Sequence, residues 1–476
     1  MNKIIETVNK NFHVPLSPYK YQAEVLEKSE SWPCYGCFMA PGTGKTLTST
    51  YKALYETEVY GTERILIIVP PILITQWYYW MSNIRTIDGK PLNVLAYKGT
   101  KKQREKMDLE TPDVVIVSTD IYKRDNDRFN EVFAGVSTSV ILDEAHCIKN
   151  PETANYNAVF WAYNHTYGNT LQMLTGTPIS KPLDAYSYIS LHSPDLYKSY
   201  ELFELTHVED FDFYGKPITY RDLDLLHERL YRRAVSVLAE DVLDSLPPIS
   251  RIIQHYELSL KHERVYKKLM QYQILEYIDE HGEDAVIDAT DEARFYNIAQ
   301  RIIWCPEEFG QNIKKIAGLE LIKTLVEQSS DKTIIYANYR RVNRKILDYL
   351  NKIGYEAVGL WGDMNASEQD KNLSAFLNEP SVKCLVANPV SGGVGLNLQG
   401  VCSNIIFAEF PVVPGRYRQA EARVYRDGQK KHVNVWNCMA LNTIQDRIYG
   451  NCVQKDAVNS QVVLQANQLG EIFRIK

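Results

Sequence analysis

The residues best suited to chemistry lie together near the start of the chain, in Met39–Leu47, MAPGTGKTL. A short apolar run, Cys34–Phe38, precedes them, and Thr48–Leu54 reads as a helix. Strand, glycine turn, Lys-Thr and helix is an arrangement that cradles phosphate. Gly42, Thr43 and Gly44 can turn backbone N–H groups toward a polyphosphate, and the helix N-terminus adds a favourable dipole. Lys45 is spaced to reach the outer phosphates, and the Thr46 hydroxyl to ligate Mg²⁺. Met39 stands where the strict pattern begins with glycine, so APGTGKT, Ala40–Thr46, is what remains. These residues imply a bound nucleoside triphosphate.

A second cluster, VILDEAH at Val140–His146, ends an apolar run in acids. Asp143 is placed to hold a Mg²⁺ shell, Glu144 to orient and deprotonate an attacking water, and His146 to couple the site to its neighbours. A lone DEAH says little, but this one is followed by LTGTP at Leu174–Pro178. Gln22 precedes the glycine turn and offers the donor and acceptor that an adenine edge needs. Near the other end, Gln419–Gln429 reads QAEARVYRDGQ. Spacing of i and i+3 predicts Arg423 and Arg426 on one helix face. From there two permanently charged guanidiniums could grip a phosphate bidentately.

The elements that must position these groups follow from apolar runs. Arg64–Pro70, Val114–Thr119, Val140–His146 and Gln172–Pro178 read as buried parallel strands, with a helix starting in Pro71–Trp80. Strands alternating with helices predict an α/β domain whose chemistry gathers at the strand C-termini. A second α/β unit begins near Gly318, with strands at Lys332–Ala337, Ala357–Leu360, Val382–Ala387 and Asn404–Ala408, and a helix over Val342–Ile353. The expected organisation is 1–195, an insertion and bridge over 196–315, and 316–476. Within the insertion, Glu209–Tyr220 predicts a hairpin turning at Gly215-Lys216. Its aromatics, Phe211, Phe213 and Tyr214, read first as core, with a base-stacking wedge as the alternative. Leu223–Leu238, Lys261–Tyr277 and Glu292–Ile303 read as helices, and Ser245–Ser250, SLPPIS, as a rigid linker.

Bulk properties exclude several classes. A chain of 476 residues is too long for one ordinary core. No apolar run reaches the roughly 20 residues of a membrane span, and the N-terminus lacks the pattern of a signal peptide. Eight scattered cysteines suit a reducing compartment. Cys34 and Cys37 form one CxxC without a second pair, so they read as small buried residues. A net charge of −6 does not announce a nucleic-acid binder. Charge is uneven, however: Glu276–Glu292 holds eight acids, read as a solvated loop, whereas Arg416–Lys431 holds six basic residues.

Taken in order, YKYQ around Gln22, APGTGKT, IIVP, VST, DEAH, LTGTP, SGGVGLNL and QAEARVYRDGQ resemble the Swi/Snf-type branch of superfamily-two helicases and translocases. FAEFPVVPG at Phe407–Gly415 and FYGKPITYRDLDLLHERLYRR are similar to the annealing, fork-remodelling subgroup, although Val412 and Val413 replace its Trp-Asn. The resemblance implies two RecA-like lobes in tandem with a mainly helical insertion, ATP and Mg²⁺ between them, and DNA as the track. It implies adenine at Gln22, and Arg423 and Arg426 delivered to the γ-phosphate when the cleft closes. Ser118, Thr119, Gly392 and Gly393 would lie along the DNA backbone, and Thr175, Thr177 and Gln419 would couple the two sites. A monomeric motor in a bacterial or phage-infected cytoplasm, with no membrane partner, completes the expectation.

Overall fold

The computed structural model describes residues 2–213, 215–242, 246–281, 289–389, 396–411 and 413–463. The chain divides into two units, one of Met1–Asp244 with Ala457–Asn467 and one beginning at Ser245 and running to Asp456. Each is built on its own parallel sheet, the α/β architecture expected of the sequence.

In the first unit seven strands run in the order Ala234–Val237, Cys34–Met39, Gly168–Leu174, Thr138–Asp143, Arg64–Val69, Val114–Ser118, Val94–Tyr97. Every pairing is parallel. The central strands are buried throughout because helices cover both faces, which is why they read as unbroken apolar runs. Cys34 and Cys37 lie inside the second strand, both buried, as their bland reading requires. Three positions apart on a strand, they point to opposite faces and cannot share a ligand.

The second unit holds six parallel strands in the order Ile249–Tyr256, Val433–Ala440, Cys402–Phe407, Lys332–Tyr336, Val382–Ala387, Glu356–Leu360. The predicted helices appear at Leu260–His281, Ala289–Trp304 and Arg340–Lys352. The acidic side chains of Glu276–Glu292 lie outside the described residues.

The middle of the chain departs from its sequence reading. Helix was expected over Leu223–Leu238, but it stops at Leu230 and a single tight turn, Tyr231–Arg233, follows. Ala234–Val237, AVSV, is instead the edge strand of the first sheet, where its valines pair with Cys37 and Met39. β-Branched residues suit a pleated edge better than a helix. SLPPIS likewise shortens, since Ile249 and Ser250 already pair with Val433 and Asn434 as strand. Within 196–315, Ala234–Val237 joins the first sheet and Ile249–Tyr256 the second.

One buried acid sets a pH dependence. Glu409, fully buried after the Cys402–Phe407 strand, accepts from the backbone N–H groups of Asn338 (2.7 Å) and Tyr339 (3.1 Å). Burial pushes its carboxyl up to about 8. Above the ordinary carboxyl range and below about 8, the folded chain therefore holds a proton that the unfolded chain releases. Stability must fall as pH rises through that window. Glu409→Gln carries no such proton, so its stability relative to wild type should rise between pH 5 and 8, by at most about 1.4 kcal/mol per unit. Urea midpoints of the second unit across that range check this; a constant gap would place the charge elsewhere.

Candidate active site

In the first unit the parallel strands bring APGTGKT, VST, DEAH and LTGTP to one edge, because each follows or ends a strand of the same direction. The glycine loop connects the Cys34–Met39 strand to the helix Lys45–Val59. Gly42 (φ 84°) and Gly44 (φ 80°) adopt left-handed backbone that side-chain-bearing residues avoid. No side chain caps the helix N-terminus, which leaves its first turn directed at whatever anion the loop holds.

Three neighbours brace this loop. From one side the Thr43 carbonyl accepts from Tyr21 Oη and Gln22 Nε2, both at 3.0 Å. From another, the Ala40 N–H donates to the Val237 carbonyl of the edge strand at 2.8 Å. From a third, Gly176 of LTGTP lies so close that a Cβ there would meet Pro41 Cδ at 2.7 Å. Thr43 closes the turn on itself, its hydroxyl donating to the Ala40 carbonyl at 2.7 Å. Lys45 folds back along the loop, Nζ donating to the Met39 carbonyl at 3.0 Å. Thr46, half-buried, opens the first helical turn.

Gln22 is only 1% exposed. Its Oε1 accepts from the Tyr19 N–H at 2.8 Å while its Nε2 holds Thr43, so both ends of the amide serve the loop. A Cβ on Gly44 would fall 2.2 Å from Nε2, which makes that glycine a requirement of packing as well as of φ. Here Gln22 is a brace, and reading adenine would require it to exchange these bonds.

Asp143 ends its strand at 7% exposure. Trp77 Nε1 donates to one carboxylate oxygen and the Glu144 N–H to the other, each at 2.9 Å. Burial and the neighbouring Glu144 charge push the carboxyl up to about 6, against the pull of Trp77 and the Lys45 ammonium. Glu144 itself sits in left-handed backbone (φ 52°, ψ 50°), a conformation costing about 1–3 kcal/mol that functional sites tolerate. His146 Nδ1 lies 3.1 Å from Glu144 Oε2. Thr175 is fully buried, its hydroxyl accepting from the Thr177 N–H at 3.1 Å, and its own N–H donates to the Cys37 carbonyl. Ser118 caps the helix Thr119–Arg124 by accepting from Ile121 N–H, and Thr119 Oγ1 donates to the Val69 carbonyl at 3.2 Å.

Among the described residues no group of three or more His, Cys, Asp or Glu side chains could hold a metal unaided. Mg²⁺ asks for less: one or two protein oxygens, with phosphates and water supplying the rest. Thr46 and Asp143 fit that demand.

The second unit carries the arginines, though not on one helix face. The helix Pro414–Glu421 contains Gln419, half-buried, and ends before Arg423. Arg423 N–H and Val424 N–H reach back only three residues, and Asp427-Gly428 (φ 88°) turns the chain away. Gln429 locks this turn by donating to the carbonyls of Cys402 and Val424. Arg423 is nearly buried and its carbonyl accepts from Leu398 N–H, while Arg426 Nη1 donates to Asn397 Oδ1. Burial, then the charge of Arg423, lowers the Arg426 pKa. Gly392 and Gly393 fall outside the described residues. Sequence reasoning missed Trp77, Tyr21, Asn397 and the Ala234–Val237 strand. A polar partner held through tertiary packing leaves no periodic trace.

Comparison with known proteins gives these residues a family. A model of the SNF2-related domain matches residues 21–305, and one of the helicase conserved C-terminal domain matches 317–428. TATA-binding protein-associated factor mot1 of Aspergillus fumigatus is 25% identical over 465 residues, covering 84% of this chain and 24% of its own length. The chain thus spans about a quarter of that relative. Uncharacterized ATP-dependent helicase YqhH of Bacillus subtilis is 25% identical over 480 residues, covering 94% of this chain and 80% of its own. The SWI2/SNF2 ATPase core of Sulfolobus solfataricus in complex with dsDNA superposes with a TM-score of 0.43 at 20% identity, covering 97% of this chain and 98% of that one. The first family model alone spans more than half of the chain, which therefore belongs to the SNF2-related family.

Proposed function

We propose that this chain hydrolyses ATP and couples the reaction to movement along DNA, opening or branch-migrating forked and branched substrates. The observation that carries the reading is the uncapped helix N-terminus behind a left-handed glycine loop, with Asp143 close enough to feel the Lys45 charge. Family membership supports it, as do the names of relatives: an ATP-dependent helicase, and a probable chromatin-remodeling complex ATPase chain of rice.

The residues divide the work. The loop N–H groups and Lys45 bind the polyphosphate, with Gln22 and Tyr21 keeping the loop in shape. Thr46 and Asp143 would hold Mg²⁺, which would neutralise phosphate charge. Glu144, thrown out of line by its left-handed backbone, orients the water and takes its proton, and His146 positions Glu144. Arg423 and Arg426 stabilise charge on the γ-phosphate during transfer. Thr175 and Thr177 carry the state of the phosphate loop along LTGTP, and Gln419 does the same in the second unit. Ser118, Thr119, Gly392 and Gly393 line the DNA backbone, where hydroxyls and bare amides bind phosphate without reading sequence. The motor works as a monomer, and its similarity to a Bacillus subtilis protein favours a bacterial or phage-infected cytoplasm. Among the described residues no helix is long and apolar enough to cross a membrane.

A second reading, translocation on duplex DNA without strand separation, is favoured by the chromatin-remodeling relative. The similarity of Phe407–Gly415 to the annealing-type subgroup, with Val412 and Val413 in place of its Trp-Asn, favours the first.

Three measurements test these assignments. Steady-state ATPase should rise strongly with forked or duplex DNA and little with single-stranded RNA; no response to any DNA would sink the reading, and strand displacement on a fork separates its two forms. Lys45→Ala should abolish turnover, whereas Arg426→Ala should bind nucleotide normally and hydrolyse it ~10³-fold more slowly. Equal loss of binding in Arg426→Ala would make that arginine structural. Trp77→Phe, which removes a hydrogen bond to a charged acceptor, should raise the Mg²⁺ requirement about tenfold while leaving metal-free nucleotide binding nearly intact.

A further inference from the structure

The hairpin of the first unit joins Val208–Phe211 to Pro217–Tyr220 in antiparallel pairing. Its foot is firmly held: Phe203, His207 and Val208 are buried beside Tyr197, and the Arg221 N–H donates to the His207 carbonyl at 3.0 Å. The turn carries hydrogen bonds of its own. Asp212 exchanges both backbone groups across the turn, its N–H donating to Lys216 (2.8 Å) and its carbonyl accepting from Gly215 (2.9 Å). The Asp212 carboxylate then accepts from the Lys216 N–H at 2.8 Å. Gly215 supplies the left-handed φ of 75°.

This rigid turn displays apolar surface. Phe213 is 93% exposed, Ile218 60% and Phe211 41%, so the aromatics are not the core that their sequence suggested. Tyr214 lies outside the described residues. Scattered exposed apolar side chains need no explanation, but three large ones on one pre-ordered hairpin do.

Charge narrows what the hairpin can meet. Glu209, Asp210 and Asp212 outnumber Lys216, so the hairpin is repelled by a phosphate backbone. A continuous duplex presents phosphates outside and keeps its base faces stacked inside, and offers such a tip nothing. An opened base pair presents a bare π-face, on which an aromatic ring stacks whatever the base. The helix Tyr200–His207, from which the hairpin springs, packs on Pro182–Asp184, directly after LTGTPIS. Asp184 in turn accepts from the N–H groups of Ser180 and Lys181, so the helix that carries the hairpin packs beside the segment that follows LTGTP.

We infer that Phe213 is a base-stacking pin that engages the terminal base pair of a DNA junction and is kept off continuous duplex by its acidic flanks. The inference rests on the proposed DNA-motor function and adds the substrate feature that the motor selects.

The test uses the full chain with a forked duplex carrying 2-aminopurine in the junction pair, beside a continuous duplex of the same sequence. Wild type should change the 2-aminopurine emission on binding; Phe213→Ala should not, and Phe213→Trp should. Strand displacement should fall about tenfold or more in Phe213→Ala, the loss that one base–aromatic stack carries. ATPase on continuous duplex should stay within about twofold of wild type, since no nucleotide-site group is touched. Asp210→Lys should gain affinity for continuous duplex and lose preference for the fork. Strand displacement unchanged in Phe213→Ala would overturn the pin while leaving the motor intact. Absence of any DNA-stimulated ATPase in wild type would overturn the motor and the pin together. Capture of a lysine-rich amphipathic peptide by wild type but not Phe213→Ala, with displacement equal in both, would reassign the tip to protein docking and overturn the pin.

Discussion

A single carbonyl oxygen, that of Thr43, is the point on which the glycine loop turns. It accepts from Tyr21 and Gln22 at once and stands between two left-handed glycines. The loop needs such help because it is costly to order: glycine loses more backbone entropy on ordering than any other residue. Its outward N–H groups must also remain without internal partners if they are to hold phosphate. A loop so built is stable only where neighbours supply the hydrogen bonds that it withholds from itself. The Ala40–Val237 bond and the close approach of Gly176 to Pro41 serve the same end.

The carboxylates follow a related logic. Asp143 is buried deeply enough to favour its protonated form, yet Trp77, Glu144 N–H and Lys45 all favour the anion. A site balanced in this way would gain from a dication, which would settle a charge that the protein alone only half supports. Glu144 sits beside it in left-handed backbone, its Oε2 3.1 Å from His146 Nδ1. Glu409 in the other unit shows the alternative, a buried acid with two backbone donors on one oxygen and no cation among the groups that shift it.

Much of this was legible in sequence. Central parallel strands are covered on both faces and so announce themselves as apolar runs; Arg64–Val69, Val114–Ser118, Val382–Ala387 and Cys402–Phe407 fall within a residue or two of their reading. The glycine loop and DEAH were legible because phosphate chemistry fixes both residue type and spacing. What escaped depends on distant partners. Ala234–Val237 is too short to show a period and becomes strand only because Cys34–Met39 lies beside it. Arg423 and Arg426 have helical spacing, but the Gln429 side chain and the Asp427-Gly428 turn override it. Phe213 looked like core because hydrophobicity records what a residue is, not which way a rigid turn points it.

The division of the chain has a consequence for how it is made. The first unit is not closed by the residues that begin it: Ala457–Asn467 belongs to it, with Asn459 donating to the Ser180 carbonyl and the Val462 carbonyl close to His227. During vectorial synthesis the glycine loop, DEAH and LTGTP leave the ribosome long before that closing segment exists. The strand Ala234–Val237 is itself about two hundred residues behind its partner. The nascent first unit must wait with part of its apolar surface uncovered until the last helix arrives, the order of assembly that favours chaperone capture over early folding.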